Sequence, residues 1–103
     1  MNSFEQLWAD CAEWSYKTFG SKEERDEMGP INHLIKEVKE LKENPKDDFE
    51  WADCALLLFD GWRRRGGSAQ ELLDAVRQKL EICKKRKWGP QDENGVSEHI
   101  RNE

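Results

Sequence analysis

The sequence predicts an all-α fold, a bundle of four helices in which the second and third form an antiparallel hairpin. Apolar residues recur at helical spacing in four segments, and glycine or proline separates one segment from the next. No segment alternates between polar and apolar residues as a strand would. We expect a helical domain over residues 1–90 and a polar C-terminal tail over residues 91–103.

The first two helices have recognisable start and stop signals. Ser3 and Gln6 have the spacing of a capping box, so helix one should begin there and end at Gly20. Helix two should open at Pro30, because proline is favoured at the first helical position. Its apolar stripe is formed by Ile31, Leu34, Ile35, Val38 and Leu41.

Helix three is the most apolar segment of the chain. Pro45 disfavours helix just before it, and Asp47 or Asp48 can cap its first turn. Apolar side chains then cover nearly every direction around the axis until the glycines at 66 and 67. A helix of this kind is predicted to be enclosed by its neighbours.

Helix four should begin at a second capping box, Ser68 with Glu71, and extend toward Gly89. The cations of "CKKRKW" at 83–88 lie near its end, where they interact favourably with the helix dipole. The run "RRR" at 63–65 is interpreted in the same way, and Asp60 is interpreted as a charge near the end of helix three. A subunit contact for the arginines and an outer position at a metal site for Asp60 are the alternatives.

Composition limits the classes of partner. Charged residues make up 38% of the 103 residues and the net charge is -5, which argues against broad attraction to nucleic acid or membrane. The N-terminus lacks the pattern of a signal peptide, so we expect a cytoplasmic protein. A chain of this size buries a modest fraction of its surface, which favours self-association. Three cysteines without CxxC spacing are predicted to be free thiols: Cys11, Cys54 and Cys83.

Two pairs of acids flank the predicted turn at Pro45: Glu37 with Glu40, and Glu50 with Asp53. In an antiparallel hairpin these pairs come level, and helix axes about 8 to 10 Å apart let four carboxylates converge. Acids on an enclosed helix need a compensating cation. Carboxylate oxygens suit Mg²⁺ or Mn²⁺, so the hairpin is predicted to carry a metal site.

The alternative for these acids is a pair of solvated, salt-bridged helix surfaces. On helix two, Lys36, Lys39 and Lys42 are close enough in sequence to pair with Glu37 and Glu40. The predicted enclosure of helix three favours the metal site over this alternative.

The segments "HLIKEVKEL" and "EWADCALLLFDGWRRRGGS" resemble the ExxE and ExxD signature of MazG-like, all-α nucleoside triphosphate pyrophosphohydrolases. The wider pattern over roughly residues 8–101, including "GPINHL", "KLEICKKRKWG" and "EHIR", is similar to the dATP/dGTP diphosphohydrolase branch, which phages often encode. The sequence departs from that branch at Cys83, where a polar residue is expected, and in the short interval between Glu40 and Glu50.

This resemblance implies a MazG-like bundle in which Glu37, Glu40, Glu50 and Asp53 hold Mg²⁺, with Mn²⁺ as a substitute. It implies conversion of purine deoxynucleoside triphosphates, dGTP or dATP, to the nucleoside monophosphate and pyrophosphate. By the same analogy, Glu40 is the candidate catalytic residue that orients or deprotonates the attacking water. A homodimer or a dimer of dimers is the expected assembly, in the host cytoplasm if a phage encodes it.

Four residues are candidate substrate contacts. Lys79 and Arg86 resemble phosphate contacts of the family, and a guanidinium suits phosphate oxygens. His33 shares a side of helix two with the acids, with a structural role as the alternative. Trp88 could stack on a purine base or simply pack at the helix end. A non-catalytic helical interaction module and a nucleotide-sensing module remain the rival interpretations of the whole chain.

Overall fold

The structure, a computed structural model, describes residues 2–101. Its elements in chain order are α1 (Ser3–Phe19), α2 (Met28–Glu43), α3 (Asp48–Arg64), α4 (Ala69–Lys85), β1 (Lys87–Trp88) and β2 (His99–Ile100). The prediction of four helices in an all-α fold is therefore confirmed. The chain forms two compact units, of which the first ends at Ala69 and the second begins at Gln70.

The predicted starts of α1 and α2 are each wrong by one or two residues. Asn2 caps α1: its side chain accepts a hydrogen bond from the Glu5 amide at 2.8 Å. Asparagine and serine cap helices equally well, so the sequence does not separate Asn2 from Ser3. Pro30 is the third residue of α2 rather than the first. Amides of the first turn have no partner within the helix, so proline is tolerated there.

The predicted antiparallel hairpin is formed by α2 and α3, which pack along much of their lengths. Asp47 caps α3 and accepts a hydrogen bond from the Phe49 amide at 2.9 Å. At the other end of the hairpin, a Cβ atom added to Gly61 would lie 3.6 Å from the Cβ of Pro30. That distance is an ordinary van der Waals contact, so α2 and α3 are in contact at this point but an alanine would also fit there.

The prediction that neighbours enclose α3 is wrong for the single chain. The buried residues of α3 are Asp60, Gly61 and Arg64, all in its last two turns. Apolar side chains elsewhere on the helix are exposed, among them Phe49, Trp51, Leu56 and Leu58. Within the first unit α3 packs against α1 and α2 alone, and two helices cannot cover every side of a third. No helix in the described part of the chain is both long and apolar enough to cross a membrane.

An aromatic cluster holds α1 against α3. Phe59 packs edge-on against Phe4, with ring centroids 5.6 Å apart, and lies 5.3 Å from the ring of Trp8. Trp8 is buried, whereas Trp14 on the same helix is more than half exposed. This cluster sets the position of α1 and hence of the residues that follow Trp8 along it.

In the second unit, α4 leads into a small antiparallel ribbon. Lys87 pairs with Ile100 and Trp88 with His99, and the Gly89 amide donates to the Glu98 carbonyl at 2.8 Å. The predictions that helix four extends toward Gly89 and that the chain has no strand are wrong. Strands of two residues are too short to show a period of two, and their partners lie far apart in sequence.

Candidate functional site

Three of the four predicted metal ligands come together between α2 and α3. Glu37, Glu40 and Glu50 each offer one carboxylate oxygen, and the three oxygens lie within 4.8 Å of one another. Below, these residues are called the acid trio. Asp53 lies outside the trio, although its charge still acts on Glu37 and Glu50. Residues three apart share one face of a helix, so Glu37 and Glu40 lie on the same side of α2. Glu50 joins them from α3.

The acid trio is electrostatically strained. The nearby Glu40 carboxyl, burial, and the charges of Glu40 and Asp53 raise the pKa of Glu37 above its usual range. Burial, together with the charges of Glu40 and other nearby acids, raises the pKa of Glu50. Like charges close together disfavour ionisation, and a cation placed among them would reverse that effect.

The trio also has unused ligand atoms. The Oε2 atoms of Glu37 and Glu50 are buried and have no hydrogen-bond partner among the described residues. A buried oxygen without a partner is costly, and such groups call for an explanation such as an ion. Oxygen donors from several carboxylates are the ligands that Mg²⁺ and Mn²⁺ prefer. The residues present therefore fit a divalent cation.

The salt-bridge alternative for these acids finds no support in the side-chain contacts. Among the ion pairs within residues 2–101, none joins Glu37 or Glu40 to a lysine of α2. The partner of Glu37 is instead His33, whose Nε2 lies 3.1 Å from the carboxylate. His33 is thereby placed beside the trio, as the sequence predicts.

A recess lies next to the trio, between α1, α2 and α3. Its volume is about 160 Å³, and Glu37 and Asp53 form part of its wall. Polar atoms come from Ser15, Asp60, Arg63 and His33. The apolar lining is formed by Cys11, Trp14, Phe19, Leu56 and Leu57. The fold thus places a partly apolar, partly polar cavity against the carboxylates.

Beside the recess is a buried ionic cluster that the sequence interpretation misses. Asp60 accepts hydrogen bonds from Ser15 Oγ at 2.6 Å, Arg63 Nη2 at 2.9 Å and Arg64 Nε at 3.1 Å. Asp60 and Arg64 are both buried, so the prediction that they are helix-end charges is wrong. The available signal in the sequence was the spacing of Asp60 and Arg64, an acid and an arginine four residues apart on one helix.

The other predicted substrate contacts belong to the second unit. Arg86 is half-buried, and Lys79 is exposed on α4. Trp88 donates from Nε1 to the Cys83 carbonyl at 2.9 Å, and its ring lies 5.9 Å from that of His99. The packing role of Trp88 at the helix end is thus present, and the contacts of Lys79, Arg86 and Trp88 with a substrate remain predictions. The three cysteines are free, as predicted.

Comparison with known proteins adds the family. The profile of the dATP/dGTP pyrophosphohydrolase family matches residues 7–103. The chain belongs to this family. It is also 41% identical over 94 residues to the Eaa protein of Salmonella phage P22, which covers 88% of this chain. The chain spans about a quarter of that relative, 27% of its length.

A solved structure shares the fold of this dATP/dGTP pyrophosphohydrolase family member. It is the cyanophage S-2L MazG-like pyrophosphohydrolase bound to dGDP and three catalytic Mn²⁺ ions per active site. The TM-score is 0.78 at 29% identity, over 98% of this chain and 100% of that one. The predicted MazG-like all-α fold is confirmed, as is the predicted resemblance to the dATP/dGTP pyrophosphohydrolase family.

Proposed function

We propose that this chain is a Mg²⁺-dependent pyrophosphohydrolase that converts dGTP or dATP to the nucleoside monophosphate and pyrophosphate. The observation that carries the proposal is the acid trio, in which Glu37 and Glu50 each have a buried oxygen without a partner among residues 2–101. Membership of the dATP/dGTP pyrophosphohydrolase family supports the substrate class. The nucleotide and Mn²⁺ ions of the similar cyanophage structure support the pairing of metal with nucleotide.

The metal ligands of this proposal are Glu37, Glu40, Glu50 and Asp53, with Mn²⁺ able to replace Mg²⁺. When bound, the cation offsets triphosphate charge and lowers the pKa of a coordinated water. Glu40 is the residue that orients or deprotonates the attacking water. It is exposed, whereas Glu37 and Glu50 are half-buried, so its carboxylate is the most accessible of the trio.

The recess beside the trio is the proposed site of the purine ring. Drug-sized ligands need pockets of about 300–1,000 Å³. The recess, at about 160 Å³, has room for a single ring system rather than a whole nucleotide. Trp14 and Phe19, which pack edge to face, supply aromatic lining, and His33 lies at the wall shared with Glu37. Arg63 Nη1 is buried without a partner among the described residues, so it can donate to a ring acceptor.

The remaining parts of the proposal rest on fewer observations. Lys79, Arg86 and Trp88 are assigned to the substrate by resemblance, through their positions near the end of α4. A homodimer or a dimer of dimers is supported by the exposed apolar side chains of α3, since exposed apolar patches mark interaction sites. The proposed location is the cytoplasm.

A substrate panel tests this function. Pyrophosphate release is measured with Mg²⁺ for the eight common NTPs and dNTPs, and dGTP and dATP are expected to be the best substrates. Glu50→Gln should abolish release, whereas Glu43→Gln, which removes an exposed acid outside the trio, should leave it unchanged. Binding of a nucleotide without pyrophosphate release would identify a nucleotide sensor. Neither binding nor release would favour a helical interaction module.

A further inference from the structure

The loop between β1 and β2 contains an asparagine followed by a glycine, Asn94 and Gly95, a pair that occurs nowhere else in the sequence. Both residues are exposed, and the φ angle of Gly95 is 78°. A positive φ is easy for glycine and strained for a residue with a Cβ atom, so the turn favours glycine here. The main-chain nitrogen that follows Asn94 is therefore free of side-chain hindrance.

Asp92 holds the main chain of this turn. Its Oδ1 atom accepts hydrogen bonds from the amides of Asn94 at 2.8 Å and Val96 at 3.0 Å. The Asp92 amide donates to the Val96 carbonyl at 2.9 Å, and the Asp92 carbonyl accepts from the Gly95 amide at 3.0 Å. Together these hydrogen bonds close the loop that joins β1 to β2.

The side-chain amide of Asn94 is not held in this way. It has no hydrogen-bond partner among the residues that the structure describes, because Asp92 binds the main-chain amide of Asn94 only. An exposed side chain changes rotamer on a picosecond to nanosecond timescale. Rotation brings the Cγ atom of Asn94 to the nitrogen of Gly95, and a reaction between groups of one chain needs no encounter in solution.

We propose that Asn94 is a site of spontaneous deamidation. The Gly95 nitrogen attacks Cγ of Asn94 and forms a C–N bond, while the bond from Cγ to Nδ2 breaks and ammonia leaves with the proton of the Gly95 amide. Water then opens the resulting succinimide ring at either of its carbonyls, and the product is aspartate or isoaspartate. Water is the single co-reactant. The proposal does not rest on the proposed function.

The other asparagines of the described chain lack this combination of features. Asn44 precedes Pro45, whose nitrogen has no proton to lose. Asn32 lies inside α2, where the helix fixes the main chain that follows it. Asn2 caps α1, and its side chain already accepts a hydrogen bond at 2.8 Å. Asn94 should therefore react before the other three.

The turn controls the rate of the reaction. The Gly95 amide must leave the Asp92 carbonyl before its nitrogen can attack, so Asn94 reacts from a locally opened loop. A free peptide with the sequence "QDENGVS", residues 91–97, is too short to form a stable turn in water. The peptide should therefore deamidate faster than the folded chain, and urea should bring the rate in the chain closer to that of the peptide.

The isoaspartate product should loosen the ribbon. Isoaspartate places an additional carbon atom in the main chain, so the hydrogen bonds to Asp92 cannot re-form with the same geometry. The ribbon has only two residue pairs, Lys87 with Ile100 and Trp88 with His99, and so small a ribbon depends on its turn. The contact between the rings of Trp88 and His99, with centroids 5.9 Å apart, should report the change.

Peptide mapping by mass spectrometry tests the site without any nucleotide. The full chain is incubated in mildly alkaline buffer and digested. Exchange of NH₂ for OH raises the mass of the peptide that contains Asn94, and isoaspartate methyltransferase labels the isoaspartate form. Asn94→Gln should abolish both signals. Asn44→Gln, which removes an exposed asparagine elsewhere, should leave both unchanged.

Two results would overturn the site: an unchanged Asn94 under conditions that deamidate the free peptide, or equal reaction at Asn94 and Asn32. Imidazole NMR tests the effect on the ribbon. The chain has two histidines, so comparison with His99→Gln assigns the His99 signals. These signals should move in the isoaspartate form and stay in place in Asn94→Asp, which keeps the normal main chain. Signals that stay in place in both would overturn the loosening of the ribbon.

Discussion

Arg64 donates from Nε to both carboxylate oxygens of Asp60, each at 3.1 Å, one turn earlier on α3. Its two remaining nitrogens donate to main-chain carbonyls at the end of α1 and in the segment that follows: those of Ser15, Gly20, Ser21 and Arg25. One buried side chain therefore fixes the course of the chain between α1 and α2. Because Asp60 also lines the recess, this pair shapes the proposed site of the base.

Removing Arg64 should be strongly destabilising. Arg64→Leu leaves the Asp60 carboxylate buried with its main partner missing, and breaking a buried pair costs about 3–5 kcal/mol. Urea unfolding, monitored by circular dichroism, measures the decrease in the free energy of unfolding. Arg65→Leu is the matched control, because Arg65 is exposed and stacks on Trp62 at 4.1 Å, a contact worth about 0.5–1 kcal/mol. Equal losses for the two variants would contradict the importance of the buried pair.

The same pair predicts an acid dependence of stability. Burial alone would raise the pKa of Asp60, but the hydrogen bonds from Ser15 and Arg64 and the charges of Arg64 and Arg63 lower it below its usual range. Since the folded pKa lies below the unfolded one, this stabilisation is fully present above about pH 4 and is lost as the pH falls through the folded pKa.

Urea midpoints measured between pH 7 and pH 2.5 test this dependence. Asp60→Asn should be less stable than the parent chain at pH 7 and should lose less of its remaining stability below pH 4. Asp74→Asn, which changes an exposed aspartate of α4, should follow the parent curve. Parallel curves for Asp60→Asn and the parent chain would show that Asp60 does not titrate between the folded and unfolded states.

The contrast between the acid trio and Arg64 shows which features a sequence pattern can predict. The ExxE spacing places Glu37 and Glu40 on one face, and a turn at Pro45 brings that face level with Glu50. Periodicity and chain reversal are sufficient for this prediction. The partners of Arg64 are main-chain carbonyls in a segment without periodicity, so residue types do not reveal them.

The ribbon and the exposed apolar surface of α3 escaped prediction for related reasons. Lys87 and Ile100 pair across a loop in which no residue type marks the partner. Leu56 and Leu58 have the apolar side chains typical of a core, although both are exposed in the single chain. The sequence does not show whether an apolar residue is covered by the same chain or by another one. Both features depend on contacts between segments distant in sequence.

Removal of the divalent ion should be visible in thermal stability. Because the pKa of Glu50 is raised in the folded protein, its protonated carboxyl adds to the free energy of unfolding. This contribution is fully present below the ordinary glutamate pKa of about 4.3 and is lost as the pH rises through the folded pKa. In EDTA, ionisation of Glu50 therefore opposes folding. Mg²⁺ should raise the melting temperature by several degrees, and EDTA should reverse the rise.

Two variants and one control refine the metal test. Glu50→Gln should melt at a higher temperature than the parent chain in EDTA, since it removes one repelling charge, and should lose its response to Mg²⁺. Asp53→Asn should also weaken that response, and an unchanged response would exclude Asp53 as a ligand. Glu43→Gln should behave like the parent chain. A response to Mg²⁺ that survives in Glu50→Gln would place the ion elsewhere.

Trp14 should contribute to nucleotide affinity more than to folding. Its side chain is more than half exposed and lines the recess proposed for the purine. Aromatic stacking on a base is worth about 1–3 kcal/mol. Trp14→Leu should therefore raise the KM for dGTP about tenfold. The melting temperature and its response to Mg²⁺ should change little, because Trp14 is not part of the trio.

Tyr16→Leu is the matched control for Trp14, because Tyr16 is an exposed aromatic residue of α1 that does not line the recess. Its KM for dGTP should equal that of the parent chain. Steady-state pyrophosphate release at saturating Mg²⁺ gives KM and kcat for all three proteins. A KM for Trp14→Leu equal to that of Tyr16→Leu would show that the base does not bind in this recess. A lowered kcat at unchanged KM would instead assign Trp14 to positioning of the α-phosphate, because ground-state binding of the nucleotide would then be independent of its ring.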